Sequence, residues 1–266
     1  MKRFFISLLC AVMVILCLPV LSASAAEEPL VGINGEKIDM TQGYASGKGW
    51  EMVFNRRDQI YTLTLSEGRF EKITSYGDLC LHIPAGANVT VGKSAVSYAI
   101  GVENGTLRIN GTGNLTLEGV NGLIANNGHL QINGVNLSVS AAKYGIYTKN
   151  GSLTVNGGTV NTIGAQNGIF TTGGLYVNGG KVNASAESSA PSDSLTDASA
   201  GINLQNCYAV ISGGEVVADG YYAMFGLKAD ITVCGGSLQA KGNTYGLYTG
   251  PNPTEIDKGV ENPNRG

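Results

Sequence analysis

Residues 143–165 read KYGIYTKNGSLTVNGGTVNTIGA, and residues 166–187 read QNGIFTTGGLYVNGGKVNASAE. The two stretches carry one phrase in different letters. An aromatic follows an isoleucine, a glycine turn follows, then Leu-x-Val-Asn-Gly-Gly, then an alternating piece built on valine. Working outward, the Asn of the phrase recurs at Asn110, Asn133, Asn156 and Asn178, and Ser212 and Cys234 continue the column. The steps are 23, 23, 22, 34 and 22 residues, so the long step holds an insertion, at 187–198. A fixed period in this range is the mark of a solenoid, in which each repeat is one structural unit.

Three short apolar pieces make up each unit. The first supplies a column of Ile100, Leu123, Ile146, Ile169, Ile202, Met224 and Leu247. The second alternates, as in Leu153-Thr154-Val155, and the third centres on Leu137, Val160, Val182, Val216 and Leu238. Alternation at period two means strands with one buried face, and the pieces are too short for helices. Three strands per coil of about 22 residues predict an all-β fold, a right-handed parallel β-helix. Coils stacked at the strand spacing of about 4.8 Å bury columns of Ile, Leu and Val against their like. The 39 glycines suit the turns such a coil needs. The Asn110–Asn178 column is read as a ladder of side chains hydrogen-bonded from coil to coil.

The ends break the pattern. Lys2 and Arg3 precede an apolar run, residues 4–21, and Ala23-Ser24-Ala25 closes it. That order predicts a signal peptide over residues 1–25, hence an extracellular chain, secreted or at the cell surface, with no membrane association after cleavage. Residues 26–75 read as an N-terminal cap and first coils, residues 76–249 as the β-helix, and residues 250–266 as a tail or the start of a continuation. The net charge of the full chain is −3, and loss of Lys2 and Arg3 makes it more negative. That excess of acid argues against a nucleic-acid partner. Cys80, Cys207 and Cys234 show no metal spacing and read as small buried hydrophobes.

Along residues 30–249 the succession QIYTLTLSEG, YGDLCLHIPAGANVTV, GTLRINGTGNLTLEG and YGIYTKNGSLTVNGGTV resembles secreted bacterial proteins described as carbohydrate-binding-domain-containing. These belong with the pectate-lyase-like right-handed β-helices. The resemblance implies a secreted solenoid with carbohydrate as its partner. It carries no individual binding residue.

The sequence itself offers little chemistry. Between residues 119 and 254 stand six carboxylates, Glu187, Asp193, Asp197, Glu215, Asp219 and Asp230, and no arginine. A glycosidase needs two carboxylates about 5–9.5 Å apart. Glu215 and Asp219 share a strand face but stand about 13 Å apart at strand rise. Asp219 lies one period before Lys241, which predicts a coil-to-coil ion pair. The acidic insertion reads as a solvated loop rather than a calcium site, and His82 and His129 stand alone. Neither a cofactor nor a metal is expected. Asn88, Asn114 and Asn136 open Asn-x-Ser/Thr triplets, which as sequons are surface features at most.

One outward column is more informative. Next to the buried Ile column come Gly101, Ile124, Tyr147, Phe170, Asn203, Phe225 and Tyr248. With the Ile side chains inside, Tyr147, Phe170, Phe225 and Tyr248 face out and form the candidate carbohydrate-binding stripe, since an aromatic face accepts the apolar side of a sugar ring. The same rings could serve only as a structural ladder. The reading is therefore a secreted, non-catalytic β-helix that binds carbohydrate or acts as a surface adhesin. The alternatives are a polysaccharide lyase or glycoside hydrolase on the same fold, and a purely structural surface segment.

Overall fold

The structure, a computed structural model, describes residues 31–187 and 199–250. The expected signal peptide, all but the first residue of the insertion, and all but the first residue of the tail lie outside the described residues. Among the described residues there are strands and turns but no helix.

The chain winds through about eight turns of a β-solenoid. Each coil lays one strand on each of three walls, and each strand pairs in parallel with its counterpart one coil on. On the first wall Ile146 pairs with Leu123 before it and Ile169 after it. On the second, Leu153 lies between Leu130 and Leu175. On the third, Val160 lies between Leu137 and Val182. We call the walls the tyrosine, asparagine and threonine faces after their outward side chains. The pairings place each residue against its equivalent in the repeat, so the sequence period is the coil.

The inward columns form one continuous core in which Ile100, Leu123, Ile146, Ile169 and Ile202 are fully buried. Burying such a side chain contributes about 1.5–3 kcal/mol, and each gains it only from its neighbours above and below. Three polar residues, Ser75, Thr148 and Thr171, enter the inward column of the tyrosine face, and Ser75 Oγ donates to the Gly77 carbonyl. Thr148 Oγ1 donates to Thr171 Oγ1 at 2.7 Å, and Thr171 Oγ1 accepts from the backbone N–H groups of Gly173 and Gly174. Their hydroxyls are thereby satisfied, as burial requires.

Asparagine ladders fix the corners, one of them running through Asn88, Asn114 and Asn136. Asn133, Asn156 and Asn178 each donate Nδ2 to the Oδ1 of the asparagine one coil earlier, at 2.7, 2.7 and 2.8 Å. The ladder starts from Asn110, which donates to Cys80 Sγ, and ends where Ser212 Oγ donates to Asn178 Oδ1. This is the ladder read from the repeat. Another was not foreseen. Asn104, Asn127 and Asn150 hold φ of 54°, 50° and 56°, and Asn127 and Asn150 each donate to the asparagine before. The left-handed turn residues thus belong to this column, where asparagine is tolerated. The glycine that follows each is forced by crowding: a Cβ on Gly151 would overlap the carbonyl oxygen of Gly128.

The N-terminal region closes the core differently. Val31–Ile33 lies antiparallel on Ile73–Tyr76, and Tyr44–Gly47, Trp50–Asn55 and Ile60–Leu65 form an antiparallel meander. Parallel pairing begins where Tyr61 meets Leu79. Val31, Ile33, Met40 and Met52 are buried against the first coils, so antiparallel strands lid this end.

Two expectations need correction. Asp219 and Lys241 are register neighbours but make no ion pair among the described residues. Coil-to-coil pairs on that wall lie elsewhere, between Arg69 and Glu118 and between Lys181 and Glu215, the latter at 3.1 Å. Of the three cysteines among the described residues only Cys207 is buried; Cys80 is partly exposed and Cys234 exposed, because both occupy outward positions of the asparagine face.

Candidate functional site: a recess in the tyrosine face

Three outward columns cross the tyrosine face. The first holds Tyr98, Asn121, Tyr144, Asn167, Ala200, Tyr222 and Tyr245. The second holds Gly101, Ile124, Tyr147, Phe170, Asn203, Phe225 and Tyr248. The third includes Glu103, Asn126 and Lys149. Parallel in-register stacking brings like residues together, so rings lie on rings. Tyr147 stacks on Phe170 with centroids 5.0 Å apart and planes 11° apart. Phe225 stacks on Tyr248 at 5.2 Å and 8°, and Tyr222 on Tyr245 at 5.6 Å and 4°. Asn203 divides the two groups.

The four rings of the stripe do not share one environment. Tyr147 and Tyr248 are partly exposed, whereas Phe170 is 8% exposed and Phe225 not at all. The expected display of all four rings to solvent therefore does not hold. Rings cover rings: Phe170 lies against both Tyr144 and Tyr147, and Phe225 against both Tyr222 and Tyr248. Pointing away from the coil is not the same as being open to a ligand. Between the groups, the Asn167 and Asn203 amides are buried with no hydrogen-bond partner among the described residues.

The open part of the face lies one coil before the first ring stack. There Ile124 stands where later coils carry rings, and a shallow recess of about 340 Å³ forms, lined by Asn121, Ile124, Asn126, Lys143, Tyr144 and Tyr147. Tyr147 and Tyr144, whose ring centroids are 5.1 Å apart, flank it. Partial burial raises the Tyr147 phenol pKa above its ordinary value, with the nearby Tyr144 adding to the shift and Lys143 opposing it. Asn121 Nδ2 donates to the Ser97 carbonyl at 2.8 Å, and Asn126 Nδ2 donates to Glu103 at 2.7 Å. Both amides are therefore held in place. Lys143 lies over the Tyr144 ring, 4.9 Å from its centroid, and makes no ion pair with a described carboxylate.

Of the sequence-derived stripe, only Tyr147 borders this recess. Tyr248 lies four coils away, in the last described coil. Tyr144 stands in the column beside that stripe, and the remaining lining residues lie outside it, although the sequence carries a signal for them. A gap in an aromatic column, Gly101 and Ile124 before Tyr147, marks where the wall steps inward. No group of three His, Cys, Asp or Glu converges among the described residues, and His82 and His129 sit on different coils. Comparison with protein-family profiles, with curated proteins and with solved structures returned no match.

Proposed function

We propose that this chain is a secreted, non-catalytic β-solenoid that binds carbohydrate on its tyrosine face, at the recess beside Tyr147. The supporting observation is the recess itself. An apolar floor at Ile124, two aromatic walls, two fixed amides and the Lys143 ammonium surround a volume that falls in the range of small-ligand sites. A sugar ring presents an apolar face and a rim of hydroxyls; the rings meet the first, and the Asn126 amide and the Lys143 ammonium meet the second. One shallow site of this kind supports weak affinity, on the order of 0.1–1 mM. Useful retention at a polysaccharide surface then comes from several engagements at once.

The test is a glycan array probed with the purified chain, followed by Tyr147→Ala on whichever glycans are retained. Binding that falls with Tyr147→Ala supports the reading. An array with no retained glycan, or retention indifferent to Tyr147, overturns it.

A further inference from the structure

The two ends of the solenoid are not alike. At the N-terminal end antiparallel strands cover the core. At the other end the last described coil, Asp230–Val233 and Ser237–Gly250, leaves its inward column open. Val233 is 46% exposed and Leu247 50% exposed. One coil earlier in the same columns, Ile211 and Met224 are fully buried. Among the described residues the strands of this last coil pair on one side only, and a free backbone edge templates pairing with another chain.

We propose that this end is a dimer interface, occupied by the same end of a second copy across a two-fold axis. Head-to-tail stacking is blocked, because the N-terminal end is already lidded by Val31–Ile33 on Ile73–Tyr76. A two-fold arrangement turns the second copy over, so its strands run antiparallel to those they meet. It also sets the asparagine face of one copy on the threonine face of the other. The sequence of the end coil fits that pairing. With Val233 opposite Leu238 of the second copy, antiparallel counting sets Thr232 opposite Gln239, Ile231 opposite Ala240 and Asp230 opposite Lys241. The apolar members all continue inward columns, since Ile231 and Val233 follow Ala209 and Ile211, and Leu238 and Ala240 follow Val216 and Ala218. The charged members face outward with opposite signs, and neither makes an ion pair among the described residues. Such an isologous contact closes on itself and yields two copies, not a fibre.

Sedimentation equilibrium on the purified chain over a range of concentrations tests this, with Asp230→Lys, Lys241→Asp and the double reversal. These outward substitutions at an exposed end leave the fold intact, which circular dichroism verifies. The expected result is a monomer–dimer equilibrium. Each single reversal weakens it about tenfold, since two symmetry-related pairs become like-charged, and the double reversal restores it. Val233→Asp, read the same way, abolishes the dimer. A monomer at all concentrations, an open-ended series of larger species, or a dimer indifferent to the charge reversals overturns the proposal.

Discussion

Tyr147 and Phe170 stack almost parallel on neighbouring coils, yet one borders a recess and the other is buried beneath its neighbours. The same column of the repeat therefore does two different jobs. The parallel register brings the rings together, and the residue one coil back decides which of them is open. Ile124 leaves Tyr147 accessible, while Tyr144 and Tyr147 close over Phe170.

The core makes the simplest prediction. Ile169 is fully buried between Ile146 and Ile202. Ile169→Asp places an unpaired charge in the coil stack and costs several kcal/mol, about 3–5. Chemical denaturation reads this as a large fall in the midpoint; an unchanged midpoint contradicts the inward register.

The corner ladder makes a second. Asn133 donates to Asn110 and accepts from Asn156. Asn133→Ala removes both bonds and leaves two partners unmatched, for a loss of about 1–3 kcal/mol. Asn133→Asp keeps the acceptor but loses the donor and sets a carboxylate against the Asn110 oxygen, so it destabilises as well. Equal midpoints for Asn133→Ala and wild type would show that the ladder contributes nothing.

Glycine positions separate crowding from habit. Gly151 has no room for a Cβ, whereas a Cβ on Gly157 meets nothing closer than 3.9 Å. Gly151→Ala is expected to lower the thermal midpoint strongly and Gly157→Ala to change it little. Comparable effects from the two contradict the stacking of Gly128 and Gly151.

On the asparagine face Tyr176 donates its hydroxyl to Tyr208 at 2.6 Å, and this bond, foremost, raises the Tyr176 pKa to about 12. The neutral phenol is thus favoured in the folded chain. The associated stability is fully present below the ordinary tyrosine pKa near 10 and is lost as pH rises through the folded value. Ultraviolet titration of phenolate should show Tyr176 among the last to ionise. Tyr208→Phe should bring it back toward the ordinary value, and no change on that substitution contradicts the assignment.

The architecture was legible because each coil repeats the last, and the spacing of Asn110, Asn133 and Asn156 is the coil itself. The antiparallel lid was less legible, since Val31–Ile33 pairs with a strand some forty residues on without a repeating phrase to announce it. The site was legible only in part. A column tells which side chains point away from the core, and so located Tyr147. Exposure depends on the neighbours along and across the coils, and so Phe170 and Phe225 were misjudged as open. The Asp219–Lys241 pairing failed for a related reason: register makes residues adjacent, but flexible exposed side chains need not meet.

The most direct measurement compares Tyr147→Ala with Phe225→Ala, each assayed for thermal midpoint and for retention on a glycan that the wild-type chain binds. The expected result is a divided one. Tyr147→Ala loses retention with only a modest loss of stability, about 0.5–1.5 kcal/mol from the missing stack on Phe170, while Phe225→Ala loses more, about 3–5 kcal/mol if the site cannot collapse, and its remaining folded molecules are retained as before. Retention undiminished in Tyr147→Ala would contradict carbohydrate binding at this recess and leave the tyrosine face a scaffold.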